Sequence, residues 1–233
     1  MQTEDLTKCI EYFKDFQIDT STFNGNYLAL IRKAHQIAFT MRIWIHKSDD
    51  DPEWVTPYLK QLKADSVQLL PSVALGNRRA LHLYERACIE DFLRYFYYFD
   101  HRIEHMLLQT QPTKYQTMDF LLNWIKDYPL FASCKESVSE SCASLTAGYK
   151  ELSRTVHGTT LSDVTLFDNL KDLFQPFRHP IRERKLMNLV FGNVFFLLYL
   201  FRIPVFQKLS LDEKNLACQH LSDQQKRILS GID

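Results

Sequence analysis

Apolar residues recur every three or four positions along most of the chain. Leu6, Ile10, Phe13 and Phe16 form one such stripe, and residues 27–46 carry a longer one. Apolar side chains at this spacing fall on one face of an α-helix. No stretch shows the strict alternation that is typical of a half-buried strand. The pattern therefore predicts an all-α protein.

Breaks between the apolar stripes predict where the other helices begin and end. Asn24-Gly25-Asn26 is a turn signal, and the acids and proline of residues 48–52 suit the first turn of a helix. Further helices are predicted over residues 72–98 (opened by Pro71), 114–126, 129–157 (stopped by Gly158), 162–175, 181–203, 212–220 and 222–230. A boundary near Pro71 would separate an N-terminal helical extension, residues 1–70, from a helical core, residues 71–233. One continuous domain is the alternative.

Composition supports long helices and limits the chemistry. The 233 residues include only 6 Gly and 8 Pro, too few turn residues for a sandwich or barrel. The 28 basic and 28 acidic side chains balance, which excludes a protein coated in positive charge but not a local basic patch. The 5 cysteines form no Cys-x-x-Cys pair, so we expect reduced thiols in a cytoplasmic protein. Neither a metal site nor a cofactor is predicted, since clustered Cys/His ligands and Gly-rich phosphate loops are absent from the sequence.

Residues 189–201 form a nearly continuous apolar run. The run is shorter than the roughly 20 residues that span a bilayer, Asn193 interrupts it and Arg202 follows it. A helix that is apolar on all sides is expected at the centre of a bundle. We therefore predict a buried core helix and no membrane contact.

One polar group lies within the long predicted helix. Arg86, Glu90 and Arg94 are each four residues apart, and Asp100-His101 follows. The group is either an ion ladder on the helix surface or part of a phosphate site. In a phosphate site, Arg94 would stabilise the phosphoryl oxygens, His101 would act as general acid or base, and Glu90 or Asp100 would orient them.

A second polar group precedes Gly158. Ser153 and His157 are four residues apart and so share a helix face, and Arg154 lies three residues before His157. The group is either a cationic last turn that complements the helix dipole or a source of acid–base chemistry. Downstream, Arg178, Arg182, Arg184 and Lys185 predict a basic helix start or a patch that binds nucleic-acid phosphates.

Together the two segments resemble the HEPN superfamily of all-α prokaryotic defence and toxin domains. Arg94-x6-His101 fits the Arg-x4–6-His motif of that family, and Tyr149-x2-Leu-Ser-x3-His157 is similar to the segment that often carries its His. The resemblance covers about residues 72–160 and implies a helical bundle, homodimerisation and metal-independent RNA cleavage. The chain departs from the pattern because the only cation at permitted spacing before His157 is Lys150, which lacks the planar fork of Arg.

Two functions follow from this pattern. The first is a metal-independent endoribonuclease in a defence or toxin–antitoxin system, with RNA as substrate. Arg94 would bind the phosphate, His101 or His157 would be the acid or base, and Glu90, Asp100 and Ser153 would orient them. The second is a catalytically silent helical scaffold that binds a partner protein. The missing Arg before His157 leaves three arrangements open: a pair of Arg94 and His101, a composite site, or lost activity.

Overall fold

The computed structural model describes residues 2–15, 18–111, 113, 115–158 and 177–231. Within these ranges the regular elements are all helical, which confirms the predicted all-α class. The α-helices are α1 Gln2–Asp15, α2 Gly25–Lys47, α3 Thr56–Ala74, α4 Arg78–Asp100, α5 Arg102–Thr110, α6 Met118–Lys126, α7 Lys135–His157, α8 Pro180–Phe201, α9 Ile203–Gln207, α10 Leu211–Cys218 and α11 Asp223–Ser230. Short 3₁₀ turns cover Thr20–Thr22 and Pro129–Cys134. The HEPN-like arrangement stays a prediction.

Several helix ends follow directly from local chemistry. Gly158 ends α7 in the left-handed region, with φ 59°, as its position in the sequence predicted. Ser210 and Ser222 begin α10 and α11 with capping boxes, in which the serine side chain accepts from a backbone N–H of the first turn. The helix predicted over residues 162–175 lies outside the described residues, as does Phe16.

The predicted start of the long helix at Pro71 is wrong. Helix α3 continues through Pro71 to Ala74, and the break comes at residues 75–77. Gly76 has φ 66°, and the Asn77 side chain caps α4 by accepting from the Ala80 N–H at 3.0 Å. Apolar periodicity alone hides this break because it continues in phase on both sides.

Helix α8 lies at the centre of the fold. It packs against α2, α4 and α7, and its segment from Val190 to Leu198 is buried. The predicted core helix is thus found. By length and composition α8 is also the one helix in the described ranges that could cross a membrane. However, 72% of its most apolar stretch of 18 residues is buried inside the protein.

A cluster of buried apolar side chains extends from Phe13 to Leu229 and so includes both sides of residue 70. Trp44 of α2 contacts Tyr199 of α8, with ring centroids 5.0 Å apart. On the opposite side, α4 packs against α7. This second contact places the two polar groups of the sequence side by side.

Candidate functional site

Helices α4 and α7 meet through a connected polar cluster, which we define as Arg86, Glu90, Arg94, Tyr149 and His157. Glu90 is its centre. Its Oε1 accepts from Arg86 Nε at 3.0 Å and from Tyr149 Oη at 2.7 Å, while its Oε2 accepts from Arg94 Nη2 at 3.3 Å. The predicted i, i+4 ladder is therefore present and is bound to the second helix.

His157 joins the cluster through Arg86. Arg86 Nη1 donates to His157 Nε2 at 2.8 Å, and the Arg86 guanidinium lies over the Tyr149 ring, 5.3 Å from its centroid. A guanidinium has only donors, so this hydrogen bond requires an unprotonated Nε2 on His157. His157 is exposed, and Arg86 is partly buried. An Arg and a basic imidazole nitrogen thus lie together at the surface.

A cleft of about 730 Å³ opens beside this pair. Its lining includes Tyr149, Lys150, Ser153, Arg154 and His157. Arg86 and Glu90 lie outside the lining and contact it through Tyr149 and His157. Three basic side chains of α7, Lys150, Arg154 and His157, therefore face one concave surface, and the carboxyl groups of Asp119 and Glu151 line it as well.

Tyr149 enters this cluster as a donor. Burial raises the pKa of its hydroxyl to about 12, and the neighbouring Glu90 carboxylate adds to the rise while Arg86 opposes it. The hydroxyl therefore stays protonated at neutral pH and donates to Glu90. This bond fixes the carboxylate, which in turn fixes the Arg86 side chain opposite His157.

Arg94 and His101 are not joined by any contact among the described residues. Arg94 pairs with Glu90 and with Asp91. The His101 ring stacks on Tyr97, with centroids 4.0 Å apart, and its Nδ1 lies 2.8 Å from the Tyr97 carbonyl. A separation of seven residues corresponds to about 10 Å along a helix, which explains why the two side chains find different partners.

The other predicted residues of the two segments take separate roles. Asp100 accepts from Tyr128 Oη at 2.6 Å, and no hydrogen bond or ion pair among the described residues joins its side chain to His101. Ser153 Oγ is buried and has no hydrogen-bond partner in the described part of the chain. Arg154 is exposed on the cleft and pairs with Glu151. Only Glu90, Arg94 and His157 of the predicted catalytic set belong to the polar cluster.

The predicted basic patch borders this cleft. Arg178, Arg182 and Lys185 line a neighbouring cleft of about 690 Å³, whereas Arg184 lies on the same helix outside that lining. Glu151 binds both Arg154 of the first cleft and Arg182 of the second. An acidic side chain of α7 therefore connects a basic side chain of the first cleft with a basic side chain of the second.

Sequence reasoning missed the pairing of Arg86 with His157. These residues are 71 positions apart, and only the packing of α4 on α7 brings them together. Sequence reasoning also missed a group that could hold a metal ion: Asp5, Cys9 and His35 place their ligand atoms within 4.8 Å of one another. The single advance signal for that group was the four-residue spacing of Asp5 and Cys9.

Comparisons with family models, with curated proteins and with solved structures give no match to this chain. An Arg fork, an imidazole nitrogen that accepts a hydrogen bond and an adjacent basic cleft are groups that can bind a phosphodiester and move a proton on it.

Proposed function

We propose that the chain is a metal-independent endoribonuclease of HEPN-like type, acting in the cytoplasm in a prokaryotic defence or toxin–antitoxin system. The hydrogen bond between Arg86 Nη1 and His157 Nε2 is the observation that carries the proposal. It supplies an Arg from α4 where the sequence has no Arg at the expected spacing before His157. The site proposed is thus composite, built from two helices.

Each group has a distinct role in the proposed reaction. An RNA phosphate would enter between Arg86 and His157, with Arg86 binding its non-bridging oxygens. Once Arg86 turns from His157 to the phosphate, the lone pair of His157 Nε2 is free and would accept the proton of the 2′-hydroxyl as that oxygen attacks phosphorus. The bond from phosphorus to the 5′-oxygen breaks, leaving a cyclic phosphate on one product, and the leaving oxygen takes a proton from water or from the imidazolium.

The neighbouring basic cleft supports RNA as the substrate. Arg178, Arg182 and Lys185 would hold backbone phosphates beyond the scissile one, and Arg154 lines the same cleft as His157. Such contacts position the strand without reading its sequence. Cleavage should therefore weaken steeply as salt is raised.

The test is cleavage of single-stranded RNA by the purified chain in the presence of a chelator. Wild-type activity should survive the chelator, and His157→Ala should lose roughly 10²–10⁴-fold of the rate. Arg86→Lys should also fail, because charge alone does not restore the planar fork. His101→Ala is the matched control and should cleave normally.

Two results would contradict the proposed site. Unchanged cleavage by both His157→Ala and Arg86→Lys would assign any nuclease activity to another site or to a contaminant. Normal activity in His157→Ala with loss in His101→Ala would favour the pair of Arg94 and His101. Melting temperatures of all variants must be measured, so that unfolding is not mistaken for lost chemistry.

A second candidate function is that of a scaffold, which would bind a partner protein or a second copy of the chain. Two features of the structure favour it. Within the polar cluster, Arg86, Glu90, Arg94 and Tyr149 already satisfy one another. Helix α5 exposes large apolar side chains: Ile103 is 73% and Met106 59% accessible. Absence of RNA cleavage under every condition, together with a tight protein complex, would favour this function.

A further inference from the structure

Three side chains of different chemistry converge between α1 and α2, far along the chain from the polar cluster. Asp5 and Cys9 are four residues apart on α1, and His35 lies on α2. One ligand atom from each lies within 4.8 Å of the other two. His35 Nε2 is 2.8 Å from Asp5 Oδ2. A single ion could therefore contact all three with small side-chain movements.

Their donor atoms suit zinc in particular. Imidazole nitrogen, thiolate sulfur and carboxylate oxygen are its three usual protein ligands, in a tetrahedral site. The spacing of Asp5 and Cys9 directs both donors to one side of α1, as it does for two ligands at i and i+4 on other metal-binding helices. The fourth position would be taken by water. Mg²⁺ and Ca²⁺ prefer sites built from oxygen alone.

The burial of these three side chains is also that expected of a structural metal site. The His35 side chain is 4% exposed and that of Asp5 33%, and Cys9 is half-buried. A partly enclosed site strengthens binding and limits exchange with solvent.

Arg42 is the cation that pairs with this group. Its Nη2 lies 3.5 Å from Asp5 Oδ1, which leaves Oδ2 facing His35. The Arg42 side chain is 56% exposed, and its guanidinium lies over the Phe39 ring. Solvent therefore screens its charge, and the oxygen that zinc would use is the one that Arg42 does not bind.

We propose that Asp5, Cys9 and His35 bind one zinc ion, which fastens α1 to α2. Helix α1 has few other anchors, because Phe13 is its one buried residue within Gln2–Asp15. An ion that binds only when both helices are in place stabilises the folded chain in proportion to its affinity. The zinc site lies outside the polar cluster, so it does not depend on the proposed function.

The experiment starts from full-length protein stripped of metal by a chelator and then dialysed. Titration with Zn²⁺ against a chromophoric competitor should give one equivalent bound per chain and a raised melting temperature. Co²⁺ in place of Zn²⁺ should give a sulfur-to-cobalt charge-transfer band, which reports the Cys9 thiolate directly. Limited proteolysis within α1 should slow when zinc is present.

Variants decide whether the bound ion is at this site. Cys9→Ser should abolish the charge-transfer band, and both Cys9→Ser and Asp5→Asn should weaken zinc binding by more than the roughly 10–100-fold that loss of an outer-shell partner costs. Cys134→Ser, which removes another half-buried thiol, is the matched control and should bind as wild type.

Two results would overturn the zinc site. One is the absence of stoichiometric binding to the stripped wild-type protein. The other is binding that Cys9→Ser and Asp5→Asn leave unchanged, which would show adventitious surface binding only. Cleavage of RNA by Cys9→Ser should equal that of wild type, so the two proposals can fail separately.

Discussion

Two glutamates of the interior show how far the environment of a residue decides its charge. Glu183 of α8 accepts from Arg78 Nε at 2.9 Å and from His82 Nε2 at 2.6 Å. Glu85 of α4 is fully buried, and neither of its oxygens has a hydrogen-bond partner among the described residues. Burial raises the pKa of Glu85 well above its usual value. Burial thus favours the neutral form of Glu85, whereas the partners of Glu183 favour its ionised form.

Removing the Glu183 carboxylate should destabilise the protein in a pH-dependent way. Burial acts to raise its pKa, but the hydrogen bond from His82 and the nearby positive charges outweigh burial and lower it. A lowered folded-state pKa means that the stabilisation is complete above the unfolded-state value, about 4.3, and is lost as pH falls below it. Glu183→Ala should cost about 3–5 kcal/mol at neutral pH, because Arg78 and His82 lose their buried partner.

Urea unfolding at neutral pH and near pH 3.5 checks this prediction. The difference between wild type and Glu183→Ala should narrow at the lower pH. Glu11→Ala, an exposed glutamate on α1, is the control and should change stability by less than about 0.5 kcal/mol. An equal loss at both pH values would contradict the assigned charge.

At the scale of single residues, the sequence predicted which side chains belong to the polar cluster better than it predicted which of them contact each other. Glu90, Arg94 and His157 were singled out and do belong to the polar cluster. The decisive pair was not foreseen, since Arg86 and His157 meet only through helix packing. His101 was chosen for its spacing from Arg94, but the adjacent Tyr97 ring and carbonyl provide it with nearer partners.

Helices were predicted well where apolar stripes are long, and three of the short helices, α6, α10 and α11, were predicted as well. The centres of α2, α4, α7 and α8 all lie within predicted helices. The nine-residue α5, Arg102–Thr110, was not foreseen, because it buries none of its residues and so has no stripe directed at the core. The break before α4 was marked by Gly76-Asn77, a turn signal that the proline five residues earlier obscured.

Replacing Gly192 of α8 with alanine should destabilise the protein. A Cβ there would lie 2.9 Å from the backbone oxygen of His220, which belongs to the turn between α10 and α11. Alanine favours a helix by about 1 kcal/mol over glycine, but here the backbone would have to move. Gly192→Ala should therefore lower the free energy of unfolding by about 1–3 kcal/mol, measured in urea.

Gly148→Ala is the matched control on α7. Its Cβ would meet the Val190 side chain at 3.0 Å, and a methyl group can yield more readily than a backbone oxygen. The loss should therefore be smaller than for Gly192→Ala. A larger loss of stability for Gly148→Ala would show that the contact of α7 with α8 is tighter than the contact of α8 with the turn at His220.

At the scale of the whole molecule, the first three helices belong to the same core as the later ones. Helix α2 packs against α3 and α8, and α3 packs against α4. Leu30, Ile31 and Trp44 of α2 are almost completely buried. The sequence could not reveal this, because a stripe shows that a helix has a buried face but not which helix covers it.

This arrangement predicts how the chain responds to truncation. Removal of residues 1–70 takes away α1, α2 and most of α3, and exposes the faces of α4 and α8 that they cover. Each large apolar side chain contributes about 1.5–3 kcal/mol when buried, and a whole domain is stable by only about 5–15 kcal/mol. Residues 71–233 alone should therefore aggregate or lack a cooperative thermal transition. Removal of residues 1–15 takes away only α1 and should leave a soluble, cooperatively folding protein with a lower melting temperature, as followed by circular dichroism. A cooperative transition in the fragment of residues 71–233 would instead establish it as an independent domain and make residues 1–70 an extension added to it.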